Sequence, residues 1–410
     1  MPEILISHPT GNVFFRATAQ GLLDAGSLQA VYTSIAVFPQ TLLYNLASFK
    51  ILSELRRRSL PAAFKKITHT HAFSESVRLI ATRLNTRKLT QHEKGMFCVD
   101  AVYKDLDQYV AHNLKKEKAR GLTAVYAYED GAYYSFKKAK ELGIKCICDL
   151  PIGYWHTMHA LLLKEKEMSP EWASTLGGLR DSKEKLNRKD EELRMADVIF
   201  VASSFTLNTL KDYPGTLKEV KVIPYGFPPA SPKTYPSPNG KLKLLFVGGL
   251  SQRKGLSYLF KAVEKLKGRV ELTVLGSGET GSCRPLQDNL AKHTWIKTLP
   301  HNKVLELMRQ HDVLVFPSLF EGFGQVITEA MAQGTPVITT ERTAGPDIIE
   351  HEKNGWLVNA GSAEAITAIL EQLLLRPQLI EAVGGQACET AKKRPWRTYQ
   401  EEIARACKAI

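Results

Sequence analysis

Cysteine is scarce and dispersed: six thiols, Cys98, Cys146, Cys148, Cys283, Cys388 and Cys407, stand in 410 residues. Only Cys146 and Cys148 are close, and a zinc site needs four clustered ligands, so no metal centre is expected from them. Low-complexity tracts and a repeat period are also missing, which sets aside disorder and repeat architectures. Residues 1 to 20 lack the basic, apolar, small-residue order of a secretory leader, because the apolar run Ile4-Leu5-Ile6 begins at once. The cytoplasm is the expected compartment. Charge is absent from Ala25 to Phe49, a stretch long enough to raise the question of a membrane span. Gln29, Pro39, Gln40, Asn45 and several hydroxyls interrupt it, and such groups are costly in hydrocarbon. A buried strand, a loop and a helix are expected there instead.

What is present is a soluble composition, 44% hydrophobic and 24% charged. A single core stops growing near roughly 250 to 300 residues, so two domains are expected. The net charge of +13 is uneven: residues 1 to 235 hold 33 basic and 24 acidic side chains, and the remainder 22 and 18. Arg56-Arg57-Arg58, Lys65-Lys66 and Arg83, Arg87 and Lys88 fall in the basic half, and such groups can draw a protein to anionic lipid or to a phosphorylated acceptor. No nucleic-acid recognition motif accompanies them.

Apolar runs alternate with helical-period segments. Ile4 to Ser7, Ala124 to Tyr128, Lys145 to Asp149, Val198 to Ala202 and Val220 to Pro224 read as strands, with helices at Ala17 to Ala25 and Ala132 to Leu142. That is βαβ patterning, which implies a parallel sheet. Six prolines between Pro224 and Pro238, closing on Asn239-Gly240, read as a linker. Beyond it the alternation restarts, from Leu242 to Val247 through Pro336 to Thr339. The expected organisation is a first Rossmann-like domain over 1–227, a linker over 228–240, a second such domain over 241–390, and a helical segment, 391–410, that can cross back to the first.

The densest chemical signal is Pro317-Ser318-Leu319-Phe320-Glu321-Gly322-Phe323-Gly324-Gln325-Val326, followed by Glu329. A strand ending at Phe316 feeds a glycine-bearing turn and then a helix, so Gly322, Phe323, Gly324, Gln325 and Val326 would present backbone N–H groups to an anion. Glu321 and Glu329 can each accept hydrogen bonds from sugar hydroxyls.

This segment resembles the E-x7-E motif of the group 1 glycosyltransferases, the retaining family 4 with the GT-B fold of two Rossmann-like domains facing a cleft. Phe246-Val247-Gly248-Gly249-Leu250, Arg253-Lys254-Gly255, Val274-Leu275-Gly276-Ser277-Gly278, Ala344-Gly345-Pro346-Asp347 and Asn354-Gly355-Trp356 fit the same family. The resemblance implies transfer of a hexose, with retention, from a nucleoside-diphosphate sugar (UDP or GDP) to an acceptor such as a cell-surface glycan or a lipid-linked saccharide. It implies no other cofactor and no metal. By it, Lys254 would grip the donor diphosphate beside Arg253 and Gly248, Glu329 would bind the ribose, and Glu321 would hold the hexose near the departing phosphate. The family often has an arginine five residues before this lysine; here that position is Gly249.

The first domain's loops after its strands should face the cleft. His8-Pro9-Thr10-Gly11-Asn12 resembles the family's glycine loop, placing Gly11 near donor phosphate or acceptor. Glu129-Asp130-Gly131 is a second such loop. In Asp149 to His156 the resemblance makes His156 the candidate near the sugar, with His159 behind it; a structural or surface role for either stays open. In the resembled family, basic N-terminal segments often serve lipid-linked acceptors. A helix carrying Phe49, Leu52, Leu55 and Leu60 on one face and Lys50 and Arg56 to Arg58 on the rest would give peripheral contact with the inner face of the cytoplasmic membrane, and packing on its own domain is the other reading.

Other patterns compete. Gly276-Ser277-Gly278-Glu279-Thr280-Gly281 is a literal GxGxxG after a strand, which would suit a NAD(P)-dependent oxidoreductase, yet Cys283-Arg284-Pro285 interrupts the helix it should open. Asp105-Leu106-Asp107 has the metal-binding DxD form, but Val102, Leu106, Tyr109 and Val110 have helical spacing and favour a solvated helix face. His69-Thr70-His71 has no third ligand nearby and reads as surface. A non-catalytic nucleotide-sugar-binding protein is the remaining alternative, against which intact Lys254, Glu321 and Glu329 argue.

Overall fold

In the computed structural model, residues 2–41, 44, 58–231, 233, 240–278 and 281–410 are described. The first sheet has a centre of short, mostly apolar and buried runs, β1 (Ile4–Ser7), β2 (Leu28–Thr33), β4 (Ala124–Tyr128), β5 (Lys145–Leu150) and β6 (Val198–Val201), and two partly exposed edge strands, β3 (Thr68–Thr70) and β7 (Glu219–Val222). Their order is β3-β2-β1-β4-β5-β6-β7, all parallel. Near-continuous Val, Ile, Leu and Tyr suit strands covered by helices on both sides. The second sheet takes β8 (Leu242–Val247), β9 (Val270–Leu275), β10 (Thr294–Ile296), β11 (Val313–Phe316), β12 (Val337–Thr340) and β13 (Trp356–Val358). It runs β10-β9-β8-β11-β12-β13, again parallel. Each sheet reverses strand order beside its first strand, and crevices form at such points.

The last helix, Trp396–Lys408, leaves the second domain and packs on helix Val13–Asp24 of the first. Tyr399 meets Thr18 oxygen to oxygen at 2.8 Å. A side chain at Gly21 would lie 2.3 Å from the carbonyl oxygen of Gln400, so only glycine allows this approach.

Several expectations are corrected. Asp107 is buried rather than solvated: its carboxylate accepts from the Tyr134 and Ser135 N–H groups at 2.6 and 2.9 Å, capping helix Tyr133–Glu141. Asp105 instead faces His71 at 3.2 Å, so the two carboxylates are committed to separate structural partners. His69 and His71 are half-buried, stacked on Tyr32 and Tyr109. Of the basic helix expected near Phe49 to Leu60, residues 45–57 lie outside the described residues. Arg58 and Leu60, which are described, are buried, and Arg58 pairs with Glu75 instead of facing solvent. Most of the proline-rich linker is likewise outside them. Among the described residues no helix is long and apolar enough to cross a membrane.

Candidate active site

β11 ends at Phe316, and the following turn reverses through Gly324, whose φ of +87° favours glycine, before helix Gln325–Ala332 begins. No side chain caps that helix, and although the Ile327 N–H turns back to the Gly324 carbonyl at 2.9 Å, the Gln325 and Val326 N–H groups remain for an anion. The neighbouring turn after β8 carries the cations. Gly255, at φ +72°, lies so close that a Cβ there would be 2.0 Å from the carbonyl oxygen of Pro317. Leu319 N–H donates to the Arg253 carbonyl at 2.8 Å, which locks the two turns together.

This packing brings three of the expected residues into contact. The Lys254 ammonium forms an ion pair with Glu321, and it lies 4.9 Å from the Phe316 ring centroid. Arg253 donates to the Phe320 carbonyl at 2.5 Å and lies 3.4 Å from the Glu321 carboxylate. Burial pushes the Arg253 guanidinium down to about 10, and burial with the Arg253 charge holds the Lys254 ammonium well below its ordinary range. Two crowded cations in a half-enclosed site suit a diphosphate, which supplies several negative oxygens at once. Glu329 stands apart from this pair. The His301 Nδ1 lies 3.8 Å from its carboxylate, and burial raises the Glu329 pKa. His301 starts helix His301–Arg309 directly after Pro300, and no motif in the sequence marks it.

Gly248 packs beneath these turns, its N–H bonded to the Leu275 carbonyl at 3.0 Å. The GxGxxG glycines have a packing role: a Cβ at Gly276 would be 1.8 Å from the Gly248 carbonyl oxygen, and one at Gly278 would be 2.7 Å from that of Leu250. Phe323 is expected to act through its backbone N–H. Its side chain is buried against Tyr225 at 4.9 Å, within the first domain's core, so only its backbone can meet a ligand. Gln325 and Val326 are half-buried at the helix start.

From the first domain, the loop after β5 presses against the Glu321 turn. A Cβ at Gly322 would be 1.9 Å from the Pro151 carbonyl oxygen, and one at Gly153 would be 2.5 Å from the Phe320 ring. Ser203 and Thr206 donate to the Gly322 carbonyl at 2.5 and 3.0 Å. His156 follows on the first turn of helix Trp155–Met168, exposed, its ring contacts being Tyr154 and Trp155; His159 instead bonds the Gly178 carbonyl at 3.1 Å. Gly11, at φ +62°, closes the loop after β1 by donating to His8 Nδ1 at 3.1 Å, as Thr10 N–H also does. Burial pushes His8 down to about 3, so the ring is neutral and its Nδ1 is free to accept both bonds.

One seam between the domains carries no motif at all. Glu165, buried in helix Trp155–Met168, accepts from Gln252 Nε2 at 2.7 Å and Tyr258 Oη at 2.8 Å, both in the second domain. Gln252 precedes Arg253 and Lys254, and its N–H donates to Thr175 at 2.9 Å. Trp172 of the same segment is buried in the second domain's core. Among the described residues, one trio has ligand atoms close enough for a metal ion, His92, Glu93 and Asp181, within 4.8 Å of one another. Its carboxylates already serve the Ser182 N–H and the Lys185 ammonium, and none of the trio contacts Glu321 or Lys254.

Residues 229–389 match the family of glycosyl transferases group 1. The amylovoran biosynthesis glycosyltransferase AmsK of Erwinia amylovora is 32% identical over 147 residues, 32% of this chain and 36% of that protein. The phosphatidyl-myo-inositol mannosyltransferase of Mycolicibacterium smegmatis is 30% identical over 173 residues, 41% of this chain and 45% of that one. The chain thus spans less than half the length of these curated relatives. Across the whole chain the fold is similar to sucrose-phosphate synthase from Thermosynechococcus elongatus (TM-score 0.66, 16% identity, 100% and 99% of the two chains). It is also similar to Anabaena HepE solved with UDP-glucose (TM-score 0.65, 16% identity, 100% of both). The chain has the GT-B fold, and the segment that carries Lys254, Glu321 and Glu329 matches the group 1 glycosyl transferases.

Proposed function

We propose that the chain transfers a hexose from a UDP- or GDP-sugar to a saccharide or lipid-linked acceptor, with retention and without a metal. The observation that carries this reading is the clasp of Lys254 and Arg253 on Glu321, beside an uncapped helix start. Glu321 balances the two cations. An arriving diphosphate takes over that role and frees the Glu321 carboxylate to accept from hexose hydroxyls, so donor binding itself prepares the carboxylate. As the bond from the anomeric carbon to the diphosphate oxygen breaks, the acceptor oxygen bonds that carbon on the same face, and the acceptor proton passes to the departing phosphate. The cations and helix N–H groups stabilise the charge that collects there. Glu329 holds the ribose, and His156 borders the sugar from the first domain.

AmsK and the capsular polysaccharide glycosyltransferase CapM of Staphylococcus aureus are named for polysaccharide synthesis, which favours a glycan acceptor. HepE was solved with UDP-glucose, which makes it the first donor to test. Calorimetric titration with UDP and GDP, followed by release of UDP from UDP-glucose, tests the reading. Lys254→Ala and Glu329→Ala should each weaken nucleotide binding by about 10- to 100-fold, from charged hydrogen bonds of roughly 1.5–3 kcal/mol. Glu321→Ala should lower turnover more than affinity. Wild-type affinity for both nucleotides in all three variants would place the donor elsewhere, and binding with no donor cleavage would leave a nucleotide-sugar-binding protein.

A further inference from the structure

The chain crosses between the domains twice, and the two crossings run side by side. Phe227 N–H donates to the Arg394 carbonyl at 2.9 Å, and Phe227 pairs with Pro395 in an isolated parallel bridge. The Arg394 guanidinium donates to the Pro224 carbonyl at 2.5 Å, the Tyr225 carbonyl at 3.4 Å and the Glu402 carboxylate at 2.5 Å. A Cβ at Gly226 would lie 2.4 Å from the Cα of Trp396, so only glycine allows this approach. A turn of one domain against the other bends this paired strip, 224–227 with 394–396, which makes it the pivot.

Tyr225 is the side chain at the centre of the pivot. It is 3% exposed. Its ring stacks on Phe14 at 5.1 Å and 2°, and meets Phe323 at 4.9 Å, Tyr399 at 5.4 Å and Trp396 at 6.0 Å. Phe14 lies on the first turn of helix Val13–Asp24, directly after the Gly11 loop, and Phe323 belongs to the turn between Glu321 and helix Gln325–Ala332. One ring thus touches the pivot and both sides of the candidate site. Its hydroxyl is buried and, among the described residues, has no hydrogen-bond partner. The neighbouring hydroxyls differ: Tyr126 donates to Asp149 at 2.6 Å, and Tyr399 meets Thr18 at 2.8 Å. Burying a hydroxyl without a partner carries a cost that a phenylalanine ring of the same shape would not. Such a cost at a pivot is accounted for if the hydroxyl is bonded in a second arrangement of the domains.

We propose that Tyr225 is a positioning residue that couples the pivot to the donor turn, its hydroxyl gaining a hydrogen bond only in the nucleotide-bound arrangement. The inference rests on the donor site proposed above at Lys254, Glu321 and the start of helix Gln325–Ala332. Tyr225 touches no reacting group; through Phe323 it sets where the N–H groups of that turn stand. The full chain is melted without nucleotide and titrated with UDP and GDP. Tyr225→Phe keeps every ring contact and removes the unpartnered hydroxyl. It should raise the melting temperature by about 2–8 °C and yet weaken nucleotide binding about 5- to 100-fold, opposite signs that a merely structural role would not give. Tyr399→Phe removes a bonded hydroxyl from the same cluster, and should lower the melting temperature and leave affinity unchanged. Wild-type affinity in Tyr225→Phe, a lowered melting temperature in that variant, or equal weakening by Tyr399→Phe would overturn the proposal and leave the donor site standing. A wild-type chain that binds neither nucleotide would overturn the transfer reading and this proposal together.

Discussion

Replacing Glu165 with alanine isolates what the unmarked seam contributes. The wild-type carboxylate is buried and accepts two hydrogen bonds from the second domain, from Gln252 and Tyr258. Gln252 Nε2 keeps a second acceptor in Ser257 Oγ, and the Tyr258 hydroxyl keeps Ser169 as a neighbouring hydrogen-bond partner. A hydrogen bond to a charged group contributes about 1.5–3 kcal/mol. Retention of one partner by each donor and entry of water into the vacated space bring the expected loss to about 3 kcal/mol. At roughly 2–4 °C per kcal/mol for a domain of this size, the second domain's transition should fall by roughly 6–12 °C. Glu165→Gln keeps one carbonyl acceptor and should lose about half as much. Because Gln252 adjoins Arg253 and Lys254, UDP affinity should fall as well, with backbone exchange of residues 251–256 accelerated. The assay is urea unfolding followed by tryptophan fluorescence, with Trp172 reporting from the seam itself. Glu364→Ala, which removes an exposed partner of Lys265, is the control and should change nothing measurable. A Glu165→Ala midpoint within about 0.5 kcal/mol of wild type would refute the reasoning.

Three further expectations follow from the same geometry. Gly322→Ala places a Cβ 1.9 Å from the Pro151 carbonyl oxygen and disturbs the bonds from Ser203 and Thr206; it should cost about 2–3 kcal/mol in urea unfolding and abolish transfer, and a fully active variant would show that this seam opens freely. Asp149 is buried, its pKa raised from 3.8 to about 7, so ionising it is harder in the folded chain than in the unfolded one. Wild-type stability relative to Asp149→Asn should therefore be highest at acid pH, fall by up to about 1.4 kcal/mol per pH unit between pH 4 and 7, and level off above 7; parallel stability curves would exclude the raised pKa. Transfer should survive EDTA, because the cationic work is assigned to Lys254 and Arg253; complete loss restored only by a divalent ion would overturn that assignment.

The sheets were legible in the sequence because parallel strands buried on both faces are nearly unbroken apolar runs. Ile4 to Ser7, Ala124 to Tyr128 and Leu242 to Val247 coincide with β1, β4 and β8. The Glu321 turn was legible because its glycines and spacing are local. Strand β2 was legible only as a buried strand somewhere in the uncharged stretch, which marks neither of its ends, and β3, three residues of Thr-His-Thr, was not legible at all. Asp107 read as solvated because its helix shows the apolar spacing of a surface helix, and nothing local reveals that helix Tyr133–Glu141 offers its N–H groups to that carboxylate. Glu165 and His301 escaped for the same reason. Each acts through a partner far away in sequence, and no periodicity records a contact between residues 165 and 252.

Those long-range contacts determine how the candidate site can move. The turn holding Arg253 and Lys254 is bound to the first domain through Gln252 and Thr175, and the turn holding Glu321 through Gly322, Ser203 and Thr206. Both turns that would meet the donor are thus also surfaces on which the domains meet. Rigid separation of the domains would strip two hydrogen bonds from the Gly322 carbonyl beside Glu321, so opening and a change in the carboxylate's position are one event rather than two. A donor that pulls Lys254 away from Glu321 acts on the same turns from the opposite side. Substitutions at Ser203 or Glu165, which are not among the candidate donor contacts, should therefore change nucleotide affinity through the position of the two turns, whereas an equally buried residue away from the seam, such as Leu114, should change stability alone.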